Sequence, residues 1–190
     1  MAGVTLRQIH SKLVWNAHGL IDREKEGDAL VTNDAGLAIG VRTADCVPIL
    51  LLDPNTRAVA AVHAGWRGTA AAIVRCAIHK MAAEFNSVPA ELIAAIGPSI
   101  RECCYEVGAE VVARFEDSVP EWHDTPAKPG GKRNLDLARV NMRQMRFAGL
   151  PDDHIFDSCL CTCCQTDTFY SYRREPSEPG RLTSAIERLS

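Results

Sequence analysis

One cysteine and one histidine in this sequence are candidates to share a metal ion. Cys46 occurs in Arg42-Thr-Ala-Asp-Cys-Val-Pro, and His63 begins His-Ala-Gly-Trp-Arg-Gly. A thiolate and an imidazole that converge across a hairpin could share a borderline metal ion such as zinc. His10 lies much earlier in the chain, and its spacing alone does not join it to this pair. The alternative interpretation is a buried structural thiol beside a hydrogen-bonded histidine.

Apolar periodicity indicates the strands and helices that hold these side chains. Asp53-Pro-Asn-Thr is typical of a tight turn, so Cys46 is expected at a strand start and His63 at the end of the partner strand. Further along, apolar residues recur with helical spacing, and Thr69 is the expected N-cap of the first helix. The predicted strands are 29–32, 36–41, 47–52, 58–62, 92–96, 168–172 and 181–186, and the predicted helices are 70–85, 107–115 and 136–149.

These patterns predict the α+β fold class. We expect a single domain over residues 1–190, with a mixed or antiparallel sheet of short strands packed by about three helices. Hydrophobic residues make up 46% of the chain, which is enough for one core and not obviously for two. The segment 118–133 is rich in proline and glycine and is expected to be a surface loop within that domain.

The net charge and hydropathy of the chain limit the classes of molecule that it can bind. The formal net charge is −3, so the chain lacks the basic field that nucleic acid binding requires. Its longest apolar runs are too short to cross a bilayer, and its first residues do not resemble a secretory signal. We therefore expect a cytoplasmic enzyme with small-molecule partners, which binds neither nucleic acid nor membrane.

The eight cysteines of the chain are unevenly spaced. Four of them fall within residues 159–164, and Cys103 and Cys104 are adjacent to each other. In a reducing compartment most of them should be buried thiols. The crowded segment could instead be a structural zinc or redox module, although it lacks the paired spacing of zinc ribbons.

Ten short motifs occur in one order and together resemble the laccase-domain family. Each motif alone is modest, but their joint order from about residue 8 to residue 186 is very specific. Members of this family were first described as multicopper polyphenol oxidases and later as zinc-dependent purine nucleoside phosphorylases with adenosine deaminase activity. The motifs are Gln8-Ile-His-Ser, Gly27-Asp-Ala-Leu-Val-Thr, Thr43-Ala-Asp-Cys-Val-Pro-Ile-Leu, Val62-His-Ala-Gly-Trp-Arg-Gly, Gly97-Pro-Ser-Ile, Cys103-Cys-Tyr-Glu-Val, Leu135-Asp-Leu, Cys161-Thr, Phe169-Tyr-Ser-Tyr-Arg-Arg and Gly180-Arg.

The resemblance implies a single zinc ion held by His10, Cys46 and His63. Three protein ligands leave a fourth position open, as in catalytic rather than structural zinc sites. The implied reactions are phosphorolysis of adenosine, inosine and S-methyl-5'-thioadenosine to free base and ribose 1-phosphate, and deamination of adenosine. The resemblance also suggests a homodimer.

The beginning of the chain departs from the family pattern. Family members carry several dozen residues before the Gln-x-His motif, including an Arg-Gly-Gly segment of the phosphate pocket. Gln8 here has only seven residues before it. The domain is therefore expected to be short at its N-terminus, and phosphorolysis is the activity that this difference affects most.

Further residues are candidates for catalysis or substrate binding. Asp45, beside the metal ligand Cys46, is the candidate proton shuttle for deamination, although strand alternation could point it away and leave it a turn residue. Arg67 stands where a helix begins and could bind phosphate, or form a surface ion pair. The resemblance places Cys161 near the substrate pocket. Arg174 is the predicted binding residue of the Arg-Arg pair, although the sequence does not decide between Arg173 and Arg174.

The competing enzyme class is a laccase-like copper oxidase that oxidises phenols with oxygen. The chain has six histidines, and no two of them are separated by a single residue. The usual trinuclear copper cluster therefore cannot be assembled within one chain. Copper could still occupy a site of two histidines and a cysteine, because copper(II) binds most ligand sets more tightly than zinc does.

Overall fold

The structure, a computed structural model, describes residues 3–20, 22–119, 128–177 and 180–189. These residues form eleven strands, four α-helices and three short 3-10 turns. The strands are β1 (Gly3–Val4), β2 (Val14–Asn16), β3 (Ala29–Thr32), β4 (Ala38–Thr43), β5 (Val47–Leu52), β6 (Val59–Ala64), β7 (Ile93–Ile96), β8 (Glu106–Val107), β9 (Arg133–Asn134), β10 (Ile155–Asp157) and β11 (Leu182–Glu187). The helices are α1 (Trp66–Ala70), α2 (Ile73–Phe85), α3 (Ala109–Ser118) and α4 (Leu137–Phe147).

The strands form one large mixed sheet and two smaller sheets, so the predicted α+β class is confirmed. The large sheet has the order β10-β7-β5-β6-β3-β2, with antiparallel pairs at its centre and a parallel pair at each edge. A second sheet has the order β1-β4-β11, and β8 pairs with β9. The expected hairpin is present, since β5 and β6 pair over their whole lengths around a turn closed by the Asp53 carboxylate.

The large sheet lies between the helices and the smaller sheet, which explains why its central strands are apolar on both faces. In β6, Ala60 and Val62 contribute to the core beneath the helices. Val59 and Ala61 contribute to a second core with Ile39 of β4. Side chains alternate along a strand, so His63 continues the row of Val59 and Ala61 and points towards the smaller sheet.

The first predicted helix is in fact two helices. The chain breaks at Ala72, whose φ of 56° and ψ of 45° are left-handed, so Thr69 is not an N-cap but a buried residue inside α1. Tertiary contacts with α4 explain why the helix is divided here. Asn141 of α4 donates a hydrogen bond to the Thr69 hydroxyl, and Gln144 donates one to the Thr69 carbonyl. These contacts fix α1 beside the end of β6 independently of α2.

The prediction of a strand over 168–172 was wrong. This segment lies in a series of turns, because its polar groups are used within the loop. The guanidinium of Arg174 donates hydrogen bonds to the carbonyls of Thr162, Cys163 and Phe169. The strands β1, β2, β8, β9 and β10 were not predicted, since each has only two or three residues and carries almost no periodic signal.

The other predicted helices are present with shifted limits. Asp136, the first residue of the predicted third helix, is the N-cap of α4, because its carboxylate accepts a hydrogen bond from the backbone N–H of Arg139. Part of the predicted loop 118–133 lies outside the described residues, which resume at Lys128. No helix among the described residues is long and apolar enough to span a membrane.

Candidate functional site

Two imidazoles and one thiol converge beside the start of β5 and the end of β6, the central strands of the large sheet. The nearest ligand atoms of His10, Cys46 and His63 all lie within 4.8 Å of one another. The rings of His10 and His63 meet edge to face, with centroids 4.9 Å apart. His63 is contributed by β6 and Cys46 precedes β5, so the hairpin brings them together as the sequence predicted. His10 arrives from a loop, and its φ of 59° is left-handed.

Gly65 provides the space in which the three side chains meet. A Cβ atom on Gly65 would lie 2.5 Å from His10 Nδ1 and 3.1 Å from Cys46 Sγ. The backbone of Gly65, with φ −74° and ψ 173°, is one that any residue can adopt. Glycine is therefore required here for the close approach of the ligands and not for backbone freedom.

Asp28 organises this cluster from a fully buried position next to β3. Its carboxylate accepts a hydrogen bond of 2.8 Å from His63 Nδ1, which leaves Nε2 as the ring nitrogen available to a metal ion. The same carboxylate accepts bonds from the backbone N–H groups of His10 and Ser11 and from the Ser11 hydroxyl. Asp28 thus orients one candidate ligand directly and holds the loop that carries another.

The electrostatics of the cluster favour a bound cation. Burial alone would raise the pKa of Cys46, but hydrogen bonds from His10 and His63 and the nearby charges lower it to about 6. Burial would lower the pKa of His63, but Asp28 and Cys46 raise it to about 9. The thiolate is the form of cysteine that binds metal ions. A divalent cation could replace the proton on His63 between two negative groups, so the donor set fits zinc.

Replacement of Asp28 by asparagine should weaken zinc binding by ~10- to 100-fold, because the partner that orients His63 loses its charge. The asparagine amide would also face N–H and O–H donors, which should reduce the free energy of unfolding by about 2 kcal/mol. The matched control is Asp34→Asn. Asp34 accepts a bond of the same 2.8 Å length from the exposed ring of His18.

Competitive zinc titration and denaturant unfolding of both variants provide the check. The role assigned to Asp28 is wrong if Asp28→Asn binds zinc as tightly as Asp34→Asn does.

A cavity of about 520 Å³ opens beside the three candidate ligands. Its aromatic lining consists of Trp66, Tyr105 and Tyr172. Its basic lining consists of Arg42, Arg173 and Arg181, whereas Asp45 is the one acidic side chain among the described lining residues. The cavity is therefore large enough for a small organic molecule and suited to one that carries both a flat ring and a negative charge.

Asp45 lies at the floor of this cavity and is 8% exposed. Its carboxylate accepts a hydrogen bond of 2.7 Å from the Thr162 hydroxyl and one of 2.6 Å from the backbone N–H of Arg173. Its own φ of 84° is left-handed, which turns the side chain towards the segment 162–173. Asp45 thus fastens that segment to the start of β5 and presents its carboxylate in one orientation.

Three predicted binding residues do not line the cavity. Arg67 is exposed, and its guanidinium stacks on the side-chain ring of Trp66, 4.2 Å from the ring centroid. Arg174 is occupied by three carbonyls of its own loop and by Glu175. Cys161 is buried beside three other thiols and is not among the residues that line the cavity.

Sequence reasoning missed most of the cavity wall. Of the Arg-Arg pair, Arg173 is the member that reaches the cavity, and its side chain also donates to the Cys104 and Glu106 carbonyls. Gln8 and Arg42 exchange two hydrogen bonds of 2.7 Å between the Gln8 side chain and the Arg42 backbone. Gln8 could have been identified from the sequence, because it belongs to the Gln-x-His motif. Asp28 likewise belongs to the Gly27-Asp motif, but nothing in the sequence pairs it with His63.

Comparisons with known proteins identify similar chains along almost the whole length. A family described as multi-copper polyphenol oxidoreductase laccase matches residues 2–188. A purine nucleoside phosphorylase of Clostridium acetobutylicum is 37% identical over 182 residues, which cover 95% of this chain and 75% of that protein. A protein named adenosine deaminase, from an unknown prokaryotic organism, is 40% identical over 163 residues, which cover 85% of this chain and 62% of that protein.

Solved structures agree with this result. The crystal structure of YlmD from Geobacillus stearothermophilus superposes with a TM-score of 0.89 and 32% identity. The alignment covers 100% of this chain and 74% of that one. A Neisseria meningitidis protein matches with a TM-score of 0.89, 33% identity and coverage of 100% of this chain and 76% of that one. The present chain thus spans only part of the length of the proteins it resembles.

Proposed function

The chain belongs to the family described as multi-copper polyphenol oxidoreductase laccase, and we propose that it is a zinc-dependent purine nucleoside enzyme. The proposed ligands are His10, Cys46 and His63. The proposed reactions are phosphorolysis of adenosine, inosine and S-methyl-5'-thioadenosine, and deamination of adenosine. Relatives named purine nucleoside phosphorylase and adenosine deaminase support this substrate class.

The convergence of two imidazoles and a thiolate at the wall of one cavity is the observation that carries the proposal. Nitrogen and sulfur donors in this combination suit zinc, and three protein ligands are the number found in catalytic zinc sites. When bound, the zinc ion would supply Lewis acidity towards a water molecule or a substrate oxygen.

The aromatic side chains of the cavity would hold the purine base. Trp66, Tyr105 and Tyr172 provide flat apolar surface against which a heterocycle can pack. Burial, together with the charges of Cys46 and Asp45, raises the pKa of Tyr105 to about 12. The phenol therefore stays protonated at neutral pH and can donate a hydrogen bond to a ring nitrogen or a ribose oxygen.

The arginines of the cavity would hold phosphate in place of the predicted Arg67. In phosphorolysis an oxygen of phosphate bonds to the anomeric carbon of ribose, and the glycosidic bond to the base breaks. Arg42, Arg173 and Arg181 line the same cavity as the metal ligands, and guanidinium groups bind phosphate oxygens in pairs. These side chains all come from within this chain, so the proposal does not depend on the Arg-Gly-Gly segment of longer relatives.

Asp45 is the proposed proton-transfer group in deamination. Replacement of the adenosine amine by a water oxygen requires a proton to move from the water to the departing ammonia. The bonds from Thr162 and Arg173 hold the Asp45 carboxylate at the cavity floor. A carboxylate has about four lone-pair sites, so Asp45 retains the capacity to accept a proton from a water in the cavity.

Replacement of Arg42 by glutamine should raise the KM for phosphate by ~10-fold, because one charge-assisted contact is worth about 1.5–3 kcal/mol. The KM for inosine should change little. Arg75→Gln on the exposed face of α2 changes the net charge equally and serves as the control. Initial rates at varied phosphate give both constants. The proposed phosphate site is wrong if Arg42→Gln and Arg181→Gln both keep the phosphate KM of the control.

Product analysis tests the proposed function. Zinc-loaded protein is incubated with inosine or adenosine, with and without phosphate, and the products are separated. We expect hypoxanthine and ribose 1-phosphate from inosine only when phosphate is present, and inosine from adenosine without phosphate. If neither product forms under either condition, the chain is not a purine nucleoside enzyme.

The copper oxidase alternative is tested by the same preparation. It is retained because the family's description names a multi-copper polyphenol oxidoreductase. Within the described part of the chain, however, only two groups of potential ligands converge, one with two histidines and one with cysteines alone. Phenol oxidation that requires copper, with no nucleoside turnover, would favour this alternative. We also propose that residues 1–190 form a single domain, as the composition indicates, and that the chain forms a homodimer, as the resemblance suggests.

A further inference from the structure

Four cysteine thiols from two distant segments meet outside the candidate active site. The sulfur atoms of Cys103, Cys104, Cys161 and Cys164 all lie within 4.8 Å of one another. The sulfur of Cys164 is 3.5 Å from that of Cys103 and 3.4 Å from that of Cys104. Cys161 and Cys164 of the crowded segment thus meet the adjacent pair Cys103 and Cys104, and the Cys163 thiol also hydrogen-bonds with that of Cys104.

Two neighbouring turns hold these thiols in place. The first turn follows β7, where the backbone N–H groups of Cys104 and Tyr105 donate to the Arg101 carbonyl. The second turn begins at Cys161, whose carbonyl accepts a bond from the backbone N–H of Gln165. Ser99 joins the two segments, because its carbonyl accepts a bond from the backbone N–H of Thr162. The backbone thus fixes the two pairs of thiols opposite each other.

The spacing of the sulfurs suits a single tetrahedral ion. With Zn–S bonds of ~2.3 Å, the edges of a ZnS₄ tetrahedron are ~3.8 Å, which lies within the observed limit of 4.8 Å. Cys161 and Cys164 form one Cys-x-x-Cys pair, a spacing that recurs in structural zinc sites, whereas the adjacent Cys103 and Cys104 take the place of the second such pair of a zinc ribbon. Hydrogen bonds from the backbone N–H groups of Arg101 and Cys164 to Cys161 are of the kind that support metal-bound thiolates.

We propose that Cys103, Cys104, Cys161 and Cys164 form a tetrathiolate site that binds one structural zinc ion. All four positions of the metal are filled by protein, so this site supplies no open position for catalysis. Iron is the other metal that four thiolates commonly bind. The proposal is independent of the function assigned to the cavity.

The ion would fasten together two walls of the substrate cavity. Tyr105 follows the first turn directly and lines the cavity. Thr162 lies within the second turn and holds Asp45. Loss of the ion should therefore loosen the segment 161–174 and the position of Tyr105, without removing the ligands of the catalytic site.

Metal analysis of purified variants tests the proposal. Cys46→Ala removes a ligand of the other site, so zinc that remains bound must reside elsewhere. We expect Cys46→Ala to retain one equivalent of zinc per chain, and the triple variant with Cys104→Ser and Cys164→Ser added to retain none. Cys159→Ser is the control, because Cys159 is an exposed cysteine of the same segment outside the group.

A second measurement uses the unaltered chain and does not depend on the folding of any variant. Its cysteines are alkylated with and without a zinc chelator and then located by peptide mass analysis. We expect the chelator to expose Cys103, Cys104, Cys161 and Cys164 together, while Cys159 reacts in both samples. Equal labelling of these four thiols in both samples would overturn the proposal. So would a Cys46→Ala protein that holds iron or no metal, or the mass of an intramolecular disulfide among the four.

Discussion

Cys46→Ala should lower nucleoside turnover by ~1000-fold, about 4 kcal/mol of transition-state stabilisation, because the proposed zinc ion would lose its thiolate ligand and a catalytic metal ion contributes several kcal/mol. The two imidazoles that remain cannot hold zinc in the same geometry. His63 would also lose one of the two negative partners that surround it. Zinc content and kcat for inosine, measured on the same preparation, provide the check.

Cys76→Ala is the matched control for this substitution. Cys76 is a partly buried cysteine of α2, so its replacement removes a thiol without touching the candidate ligands. We expect its zinc content and kcat to equal those of the unaltered protein. A Cys46→Ala protein with the turnover of Cys76→Ala would show that the thiolate has no part in the reaction.

Gly65→Ala should reduce zinc affinity and turnover by ~100-fold, the upper end of the range for changes around a metal site. The new Cβ would lie 2.5 Å from His10 Nδ1 and 3.1 Å from Cys46 Sγ, so the ligands must separate. The backbone of Gly65 accepts alanine without strain. The loss should therefore appear in metal binding, with little change in the free energy of unfolding of the metal-free protein.

Gly108→Ala offers an unusually close control. Gly108 precedes α3 with φ −78° and ψ 171°, nearly the conformation of Gly65 before α1. A Cβ at Gly108 would meet nothing within 4 Å. The two variants therefore differ in what the added methyl group touches. Equal zinc affinity in both would contradict the geometry assigned to the ligand cluster.

The convergence of Cys46 and His63 could be predicted because it follows from local patterns. The turn at Asp53 fixes the pairing of two apolar runs, and pairing fixes which residues lie at the same edge of the sheet. The role of His10 was implied only by the resemblance to the family. The family match over residues 2–188 confirms that resemblance. The position of His10 depends on hydrogen bonds to Asp28, a long-range contact that no periodicity records.

Other features escaped prediction for similar reasons. The break at Ala72 has no local signal, since alanine is the best helix former, and arises from how α1 is held by α4. The proposed tetrathiolate site combines Cys103 and Cys104 with Cys161 and Cys164, and these pairs meet only because two distant turns pack against each other. Local propensity thus predicted the strands of the central hairpin, whereas packing between distant segments decided the surroundings of the site.

The zinc requirement of the reaction is tested most directly by the release of hypoxanthine from inosine by metal-stripped protein, in phosphate buffer, before and after zinc is restored. We expect no release by the stripped protein and recovery of turnover once zinc is returned to His10, Cys46 and His63. The stripped Cys46→Ala protein should not recover. Undiminished release by protein whose zinc has been verifiably removed would show that the reaction does not use zinc.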